Sequence, residues 1–417
     1  MPQNEYLSLI YRNRNFRFLL LSRTSSEVGD WFSLIASALL MARFTESSIV
    51  IGGLMIARSV PPMILGSIAG FVADHFDRRI ILISCDLLRA LIVLGLLLVD
   101  SPEEAWLIYL FTTLQFSVAA FEDPAHSAII SNTVDKNDLI RANLLLNVSW
   151  SMMMAVGTGF GGLTAATLGF STVFVVNSMT YLFSAFFVSK IHLDENKKLD
   201  SNKKSPFGHM ADEFLSGFRY LVRNLQMAMY VMTRAATTLI HGGMIIVHVE
   251  FARHWFPIGE EGSISLSLIY LFVGLGTGAG PFLVHRITRG RDSWMRAAIP
   301  SLYFVSFLGF LMIGNAGSLE LLLLGTFLRS VEFSVIFVLS SSMLQAESPN
   351  AIVGRVFAVD MMIRTVMLTA ASLAVGWCFD FFGLGPHQIA RGLALTALIM
   401  SLVWVGYLLF RRNDQAI

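Results

Sequence analysis

Long, almost uninterrupted apolar runs alternate with short polar connections along this chain. The runs fall at about 16–42, 49–73, 79–99, 105–131, 143–168 and 171–189, then at about 226–250, 264–285, 295–314, 318–344, 354–380 and 387–410. A helix crosses the hydrocarbon of a bilayer with about 20 predominantly apolar residues, the length each run supplies. Lipid offers no partner to free backbone N–H and C=O groups, and these runs are too long for the alternating strands of a barrel. The pattern therefore predicts twelve transmembrane helices in an all-α integral membrane protein.

Composition agrees: 55% of the residues are hydrophobic and only 14% are charged. One long polar stretch, around HLDENKKLDSNKKSP, separates six runs from six. It predicts an N-terminal six-helix bundle over 1–190, a cytoplasmic linker over 191–225 and a C-terminal six-helix bundle over 226–417. Within the linker, Met210, Phe214, Phe218 and Leu221 recur at helical spacing, so Phe207 to Val222 reads either as an amphipathic helix on the membrane surface or as a flexible linker.

The formal net charge of +1 hides a strong asymmetry. Of the 30 Lys and Arg residues, only Arg43, Arg253 and Arg391 fall in connections on one side, and Arg23, Arg58, Arg89, Arg234, Arg329 and Arg364 fall inside runs. All the others, Lys136 and the linker lysines included, fall on the opposite side. The positive-inside bias places both termini in the cytoplasm. Arg12, Arg14 and Arg17 lead straight into a full-length first run with no cleavage site, so that run reads as an uncleaved insertion signal in a multi-pass plasma-membrane protein.

Ionisable residues inside the runs carry the candidate chemistry, since each is costly in lipid and needs a partner or a wet cavity. Arg23, Glu27 and Asp30 lie at i, i+4 and i+7 on one face of the first helix, with Glu27 near mid-membrane by a rise of about 1.5 Å per residue. An internal Arg23–Glu27 pair would make this stripe a packing feature. Alternatively, Glu27 or Asp30 carries a proton: desolvation favours the neutral carboxyl and a nearby arginine the charged one, so opening and closing a cavity could move the proton on and off. Arg23, Arg58, Gln115, Arg234, Arg329, Glu332, Asp360 and Arg364 are candidates for lining a central substrate cavity. The spacings Arg329/Glu332 and Asp360/Arg364 also allow same-helix ion pairs. His126, His241, His248 and His285 lack metal-ligand spacing, and His241 is the best pH-sensitive candidate among them. Cys85 and Cys378 read as small buried residues, and Asn147 to Ser149 is a sequon inside a helix. No Walker loop, nucleophile elbow or metalloprotease motif appears, so neither an enzyme nor a cofactor is indicated.

The connection GFVADHFDRR, Gly70 to Arg79, resembles the cytoplasmic loop between helices 2 and 3 of the major facilitator superfamily. Gly70, Asp74, Arg78 and Arg79 match that loop, while His75 and Asp77 depart from it. Asp86 and Arg89 just beyond it resemble the branch that holds macrolide-efflux pumps and the enterobactin exporter. So do PAHSA at Pro124 to Ala128 with Leu139, Ala142 and Asn143; Asn177, Thr180 and Tyr181; Leu344 and Gln345; and GRVFA at Gly354 to Ala358. VGTGFGG, Val156 to Gly162, resembles a glycine-rich antiporter motif with Thr158 where proline is common, and helix packing explains the same glycines.

The resemblance implies two pseudo-symmetric six-helix bundles in a bacterial inner membrane. It implies alternating access, with Asp74 meeting the helix start near Gly354 and Arg355, and with Gly70, Arg78, Arg79, Asp86 and Arg89 completing a cytoplasmic gate. The resulting expectation is a monomeric, proton-coupled exporter of an amphipathic small molecule (drug, macrolide or siderophore), with protons and membrane lipids as its other partners and no nucleic acid. A lipid or lysolipid flippase is the alternative within transport. A non-transporting receptor or sensor and a membrane enzyme are the alternatives outside it.

Overall fold

A computed structural model describes residues 3–135, 138–192, 210–288, 292–349 and 352–414. Lys136 and most of the polar linker, with its four lysines, lie outside the described residues. All the regular structure among the described residues is helical.

The chain divides into two compact units: Met1–Thr45 with Ile56–Ala211, and Glu46–Met55 with Asp212–Ile417. The first contains α1 (Gln3–Arg12), α2 (Arg14–Phe44), most of α3 (Ser48–His75), α4 (Arg78–Leu94), α5 (Trp106–Ala119), α6 (Glu122–Thr133), α7 (Leu139–Leu168) and α8 (Phe170–Ser189). The second contains the first turns of α3, then α9 (Met210–Arg223), α10 (Leu225–Gly242), α11 (Met244–Glu250), α12 (Ser263–Thr288), α13 (Asp292–Gly314), α14 (Leu319–Glu347), α15 (Val353–Phe382) and α16 (Pro386–Asp414).

Local sequence sets many helix ends. The Asn13 side chain accepts from Phe16 N at 2.9 Å to start α2, and Asn224 and Ser318 cap α10 and α14 in the same way. Asp77, a departure from the superfamily loop, caps α4 by accepting from Arg79 N at 2.8 Å and Ile80 N at 3.2 Å. Gly383 ends α15 with φ of +60°, the left-handed conformation that favours glycine.

Ten helical segments among the described residues are long and apolar enough to cross a membrane. α2 and α7 also have the length, at 31 and 30 residues, and α2 carries Arg23, Glu27 and Asp30 along it.

Two predicted runs are broken. The run 105–131 becomes α5 and α6, with Ala120 and Phe121 between them. Pro124 has no N–H to donate, so the helical ladder lacks a bond there, in the first turn of α6. The run 226–250 breaks at Gly243, where α10 gives way to α11 and then to a π turn over Phe251–Trp255. A side chain on Gly243 would collide with Val375, and Ser372 Oγ donates to Gly242 O at 2.9 Å, so the glycine pair lets α15 approach the break closely.

In unit 1, α2 packs between α7 and α8, and α4 lies along α8. Gly157 and Gly161 of the glycine-rich motif face α2: a Cβ on them would sit 2.6 Å from Val28 O and 2.5 Å from Phe32 O respectively. Those two glycines therefore serve close helix packing. In unit 2, α14 packs against α12 and α13, α13 against α16, and α10 against α15. The amphipathic reading of the linker's second half corresponds to α9, whose Gly217 lies against the Arg355 backbone at the start of α15.

Candidate functional site

Each unit encloses buried charge, and the two arrangements differ in how completely that charge is bonded. In unit 1 the centre is Arg89 on α4, which is 1% exposed. Its Nη2 donates to both oxygens of Asp30 on α2, at 2.6 and 2.7 Å, and to Tyr181 OH on α8 at 3.0 Å. Its Nη1 donates to both oxygens of Glu122 on α6, at 2.8 and 2.7 Å. Tyr181 OH in turn donates to Asp30 Oδ1 at 2.6 Å, and Gln115 on α5 donates to the same oxygen at 3.1 Å and to Tyr181 OH. One guanidinium thus joins four helices, and Gln115 adds a fifth. The helix break after α5 makes this possible, because it places Glu122 in a first turn of α6 instead of mid-helix.

Asp86, three residues before Arg89, accepts from Ser184 Oγ at 2.7 Å, and Ser184 pairs with Ser22 at 2.8 Å. The sequence reading assigns Asp86 and Arg89 to cytoplasmic gating. Both are buried in unit 1, since the i, i+3 spacing turns them to the face of α4 that packs on α8.

The two carboxylates proposed for proton coupling also separate. Asp30 has hydrogen bonds to both oxygens. Glu27 accepts from Arg23 Nε at 2.8 Å through Oε1, while its buried Oε2 has no hydrogen-bond partner. Arg23 also reaches Asp123, at 3.3 Å. Arg58, half-buried on α3, lies over the Phe116 ring at 4.3 Å and nearer the edge of cation–π range from Trp31 at 6.0 Å.

Unit 2 holds two centres. In one, Asp360 on α15 accepts from Arg234 Nε on α10 and, one turn along its own helix, from Arg364 Nε, both at 2.9 Å. Arg234 also donates to Phe337 O at 3.1 Å and stacks 4.1 Å from that ring. In the other centre the same-helix pair allowed by Arg329 and Glu332 gives way to bonds with histidines. Glu332 Oε2 lies 2.8 Å from His241 Nε2, and Arg329 lies 2.6 Å from His241 Nδ1 and 3.2 Å from His248 Nε2. Arg234, Arg329, Glu332, Asp360 and Gln115, candidates for an open cavity by their depth alone, are buried inside their own units.

The loop residues are placed as follows. His75 Nδ1 bonds Phe71 O at 2.8 Å, Arg78 Nε donates to Ala73 O at 3.1 Å, and Arg79 donates to Ser189 O. Gly70 and Asp74 sit in the last turns of α3, Gly354 lies exposed in the first turn of α15, and Arg355 donates to Ser216 Oγ of α9 at 3.2 Å. The sequence reading missed Glu122 as a site residue and treated Tyr181 only as part of a motif. Two adjacent acids directly before a proline inside an apolar run were the available signal. Among the described residues, no group of three or more His, Cys, Asp or Glu side chains is arranged to hold a metal ion.

Membrane-length helices in two units, with buried charges joining helices inside each, define a multi-pass membrane protein. Solved structures show its fold. A variant of the nucleoside transporter NupG superposes with a TM-score of 0.71 at 14% identity, covering 94% of this chain and 99% of that one. The human organic anion transporter MFSD10 superposes with a TM-score of 0.67 at 16% identity, over 94% and 99%. The chain belongs to the transmembrane secretion effector family of the major facilitator superfamily, whose profile matches residues 9–411. It is similar to BacE of Bacillus subtilis (strain 168), a protein named for bacilysin export, with 24% identity over 83% of this chain and 84% of the relative. The multidrug efflux pump Tap of Mycolicibacterium fortuitum is 23% identical over 95% of this chain and 97% of its own length. The protein is a transporter of small molecules and not an enzyme.

Proposed function

We propose that this transporter is a proton-coupled exporter, moving an amphipathic small molecule out of the bacterial cytoplasm by alternating access, with both termini cytoplasmic and a monomer as the working unit. Relatives named for export of bacilysin and for multidrug efflux support the direction and the substrate class. The observation that carries the coupling is the contrast between neighbouring carboxylates on α2. Asp30 has its charge matched by Arg89 and its oxygens hydrogen-bonded, whereas Glu27 keeps one buried oxygen without a partner. A carboxylate with a bare buried oxygen gains an O–H when protonated and loses little, because that oxygen accepted nothing. Glu27 is therefore the coupling residue, and Asp30 positions Arg89. Arg58, with Phe116 and Trp31 beneath it, offers a cation on an aromatic floor to the polar end of an amphipathic cargo. Asp74, Arg78, Arg79, Gly70, Gly354 and Arg355 serve the cytoplasmic gate.

The test is pH-driven flux in proteoliposomes with a macrolide, a siderophore and a lysolipid as cargo. Glu27→Gln should abolish flux driven by a proton gradient while leaving exchange at equal pH, and Arg58→Gln should raise the KM for cargo. Undiminished gradient-driven flux in Glu27→Gln would remove Glu27 from the mechanism. Lysolipid movement without any gradient would replace export of a soluble cargo with flipping.

A further inference from the structure

We propose that Glu332, in unit 2, is a second proton-binding site, whose occupancy is passed to Arg329 through His241. This goes beyond the role given to Glu27 and does not rest on it.

The hydrogen-bond donors decide the state of the cluster. A guanidinium has only donors, so both histidine nitrogens facing Arg329 are acceptors. His241 Nδ1 accepts at 2.6 Å, which leaves Nε2 to carry the ring proton and donate it to Glu332 Oε2 at 2.8 Å. His248 Nε2 accepts at 3.2 Å, which puts its proton on Nδ1. Both imidazoles are therefore neutral, and neither can take a second proton without displacing Arg329 from its acceptor nitrogen. Glu332 differs: its side chain is 0% exposed, Oε2 is held by His241, and Oε1 is buried with no partner. The lone pairs of Oε1 are the free basic position of the cluster, and a proton bound there breaks no hydrogen bond.

The surroundings isolate this position from competing acids. On α10, His241 lies between the rings of Phe310 and Phe333, at 5.4 and 5.1 Å, and Arg234 on the same helix is engaged by Asp360 of α15. From α11, His248 faces Arg329 and stacks edge-on with Tyr270 of α12 at 5.4 Å. From α13, Tyr303 lies within electrostatic range of Glu332, with its hydroxyl bonded to Thr237 at 3.1 Å and to Thr233 O at 2.8 Å. Among the described residues, Arg329 is thus the cation beside Glu332, with the neutral His241 imidazole bonded to both. With Glu332 ionised, the pair is balanced across the ring. A proton on Oε1 neutralises the carboxylate, weakens the His241 bond and leaves Arg329 the uncompensated cation of a dry site, a state that favours its movement toward water or an anionic group. Gly243 breaks the helix two residues after His241, at the point where such a movement could be absorbed.

Infrared pH-difference spectra of the full-length protein in nanodiscs test this directly, with protons as the only probe. Acidification of the wild type should produce a protonated-carboxyl band that is absent from Glu332→Gln and present in Glu27→Gln. His241→Phe keeps an aromatic ring between Phe310 and Phe333 but removes the relay. It should displace the midpoint of that band by about one pH unit or more. A Glu332→Gln spectrum indistinguishable from wild type would overturn the proposal, as would an unmoved midpoint in His241→Phe. The second variant decides the matter if the first does not fold. Loss of coupled flux in Glu27→Gln with the Glu332 band intact would separate the two sites.

Discussion

Unit 1 gathers two buried carboxylates, Asp30 and Glu122, on one arginine, whereas in unit 2 the buried arginines Arg234 and Arg329 belong to separate centres. Arg89 satisfies Asp30 and Glu122 at once and ties α4 to α2, α6 and α8. In unit 2, Arg234, Asp360 and Arg364 make a comparable closed set between α10 and α15, while Arg329 and Glu332 are both bonded to His241. A buried carboxylate with both oxygens bonded to cations acts as a fastener. One with a bare oxygen, as in Glu27 and Glu332, can change charge without first losing a bond. On the proposed reading, saturation of hydrogen bonds, more than depth in the membrane, separates structural charge from working charge.

The comparison can be broken most severely at Arg89. Arg89→Met leaves Asp30 and Glu122 buried without their cation, and should cost about 3–5 kcal/mol, seen as a collapse of the thermal transition in detergent. If Arg89→Met melts like wild type, the fastener reading fails. Asp360→Asn keeps the shape but removes the charge between Arg234 and Arg364; a loss of about 2–3 kcal/mol is expected in the same measurement. Gly161→Ala should destabilise by about 1–3 kcal/mol, because its Cβ would meet the α2 backbone at Phe32; the matched Gly159→Ala, with open space at that position, should not. Asp77→Ala removes the cap of α4 and should lower stability by about 1 kcal/mol. Glu27→Gln should have the smallest stability effect, under about 1 kcal/mol, since its Arg23 partner is partly exposed and keeps Asp123, yet it should have the largest effect on gradient-driven flux. A large melting shift in Glu27→Gln would class that residue with Asp30 as a fastener.

Much of the architecture was readable in the apolar runs, because a helix in lipid must bond its own backbone and so announces itself by length and hydropathy. The breaks were less visible. Pro124 marks the start of α6 in hindsight, but Gly243 looks like any packing glycine until α15 is placed against it. At the charged residues, sequence spacing allowed the Arg23–Glu27 and Asp360–Arg364 pairs, which form because i, i+4 neighbours meet on a helix. Spacing also allowed an Arg329–Glu332 pair, but His241 and His248 compete for those groups from α10 and α11. Glu122 and Tyr181 could not be matched to Arg89 by spacing at all, since they lie 33 and 92 residues away.

The sequence by itself determined that this is a helical membrane transporter of a recognisable superfamily, and which positions on α2, α4, α10, α14 and α15 carry charge inside the apolar runs. Hydropathy, capping and i, i+4 contacts are local properties, and the chain order contains them. Only the tertiary structure decided which charge met which: that Arg89 belongs to Asp30 and Glu122 in the interior of unit 1, that Asp30 is saturated while Glu27 is not, and that Arg329 and Glu332 are both bonded to His241. Those pairings join different helices, and a carboxylate's spare oxygen is defined by everything that fails to reach it, which no single segment of the chain can specify.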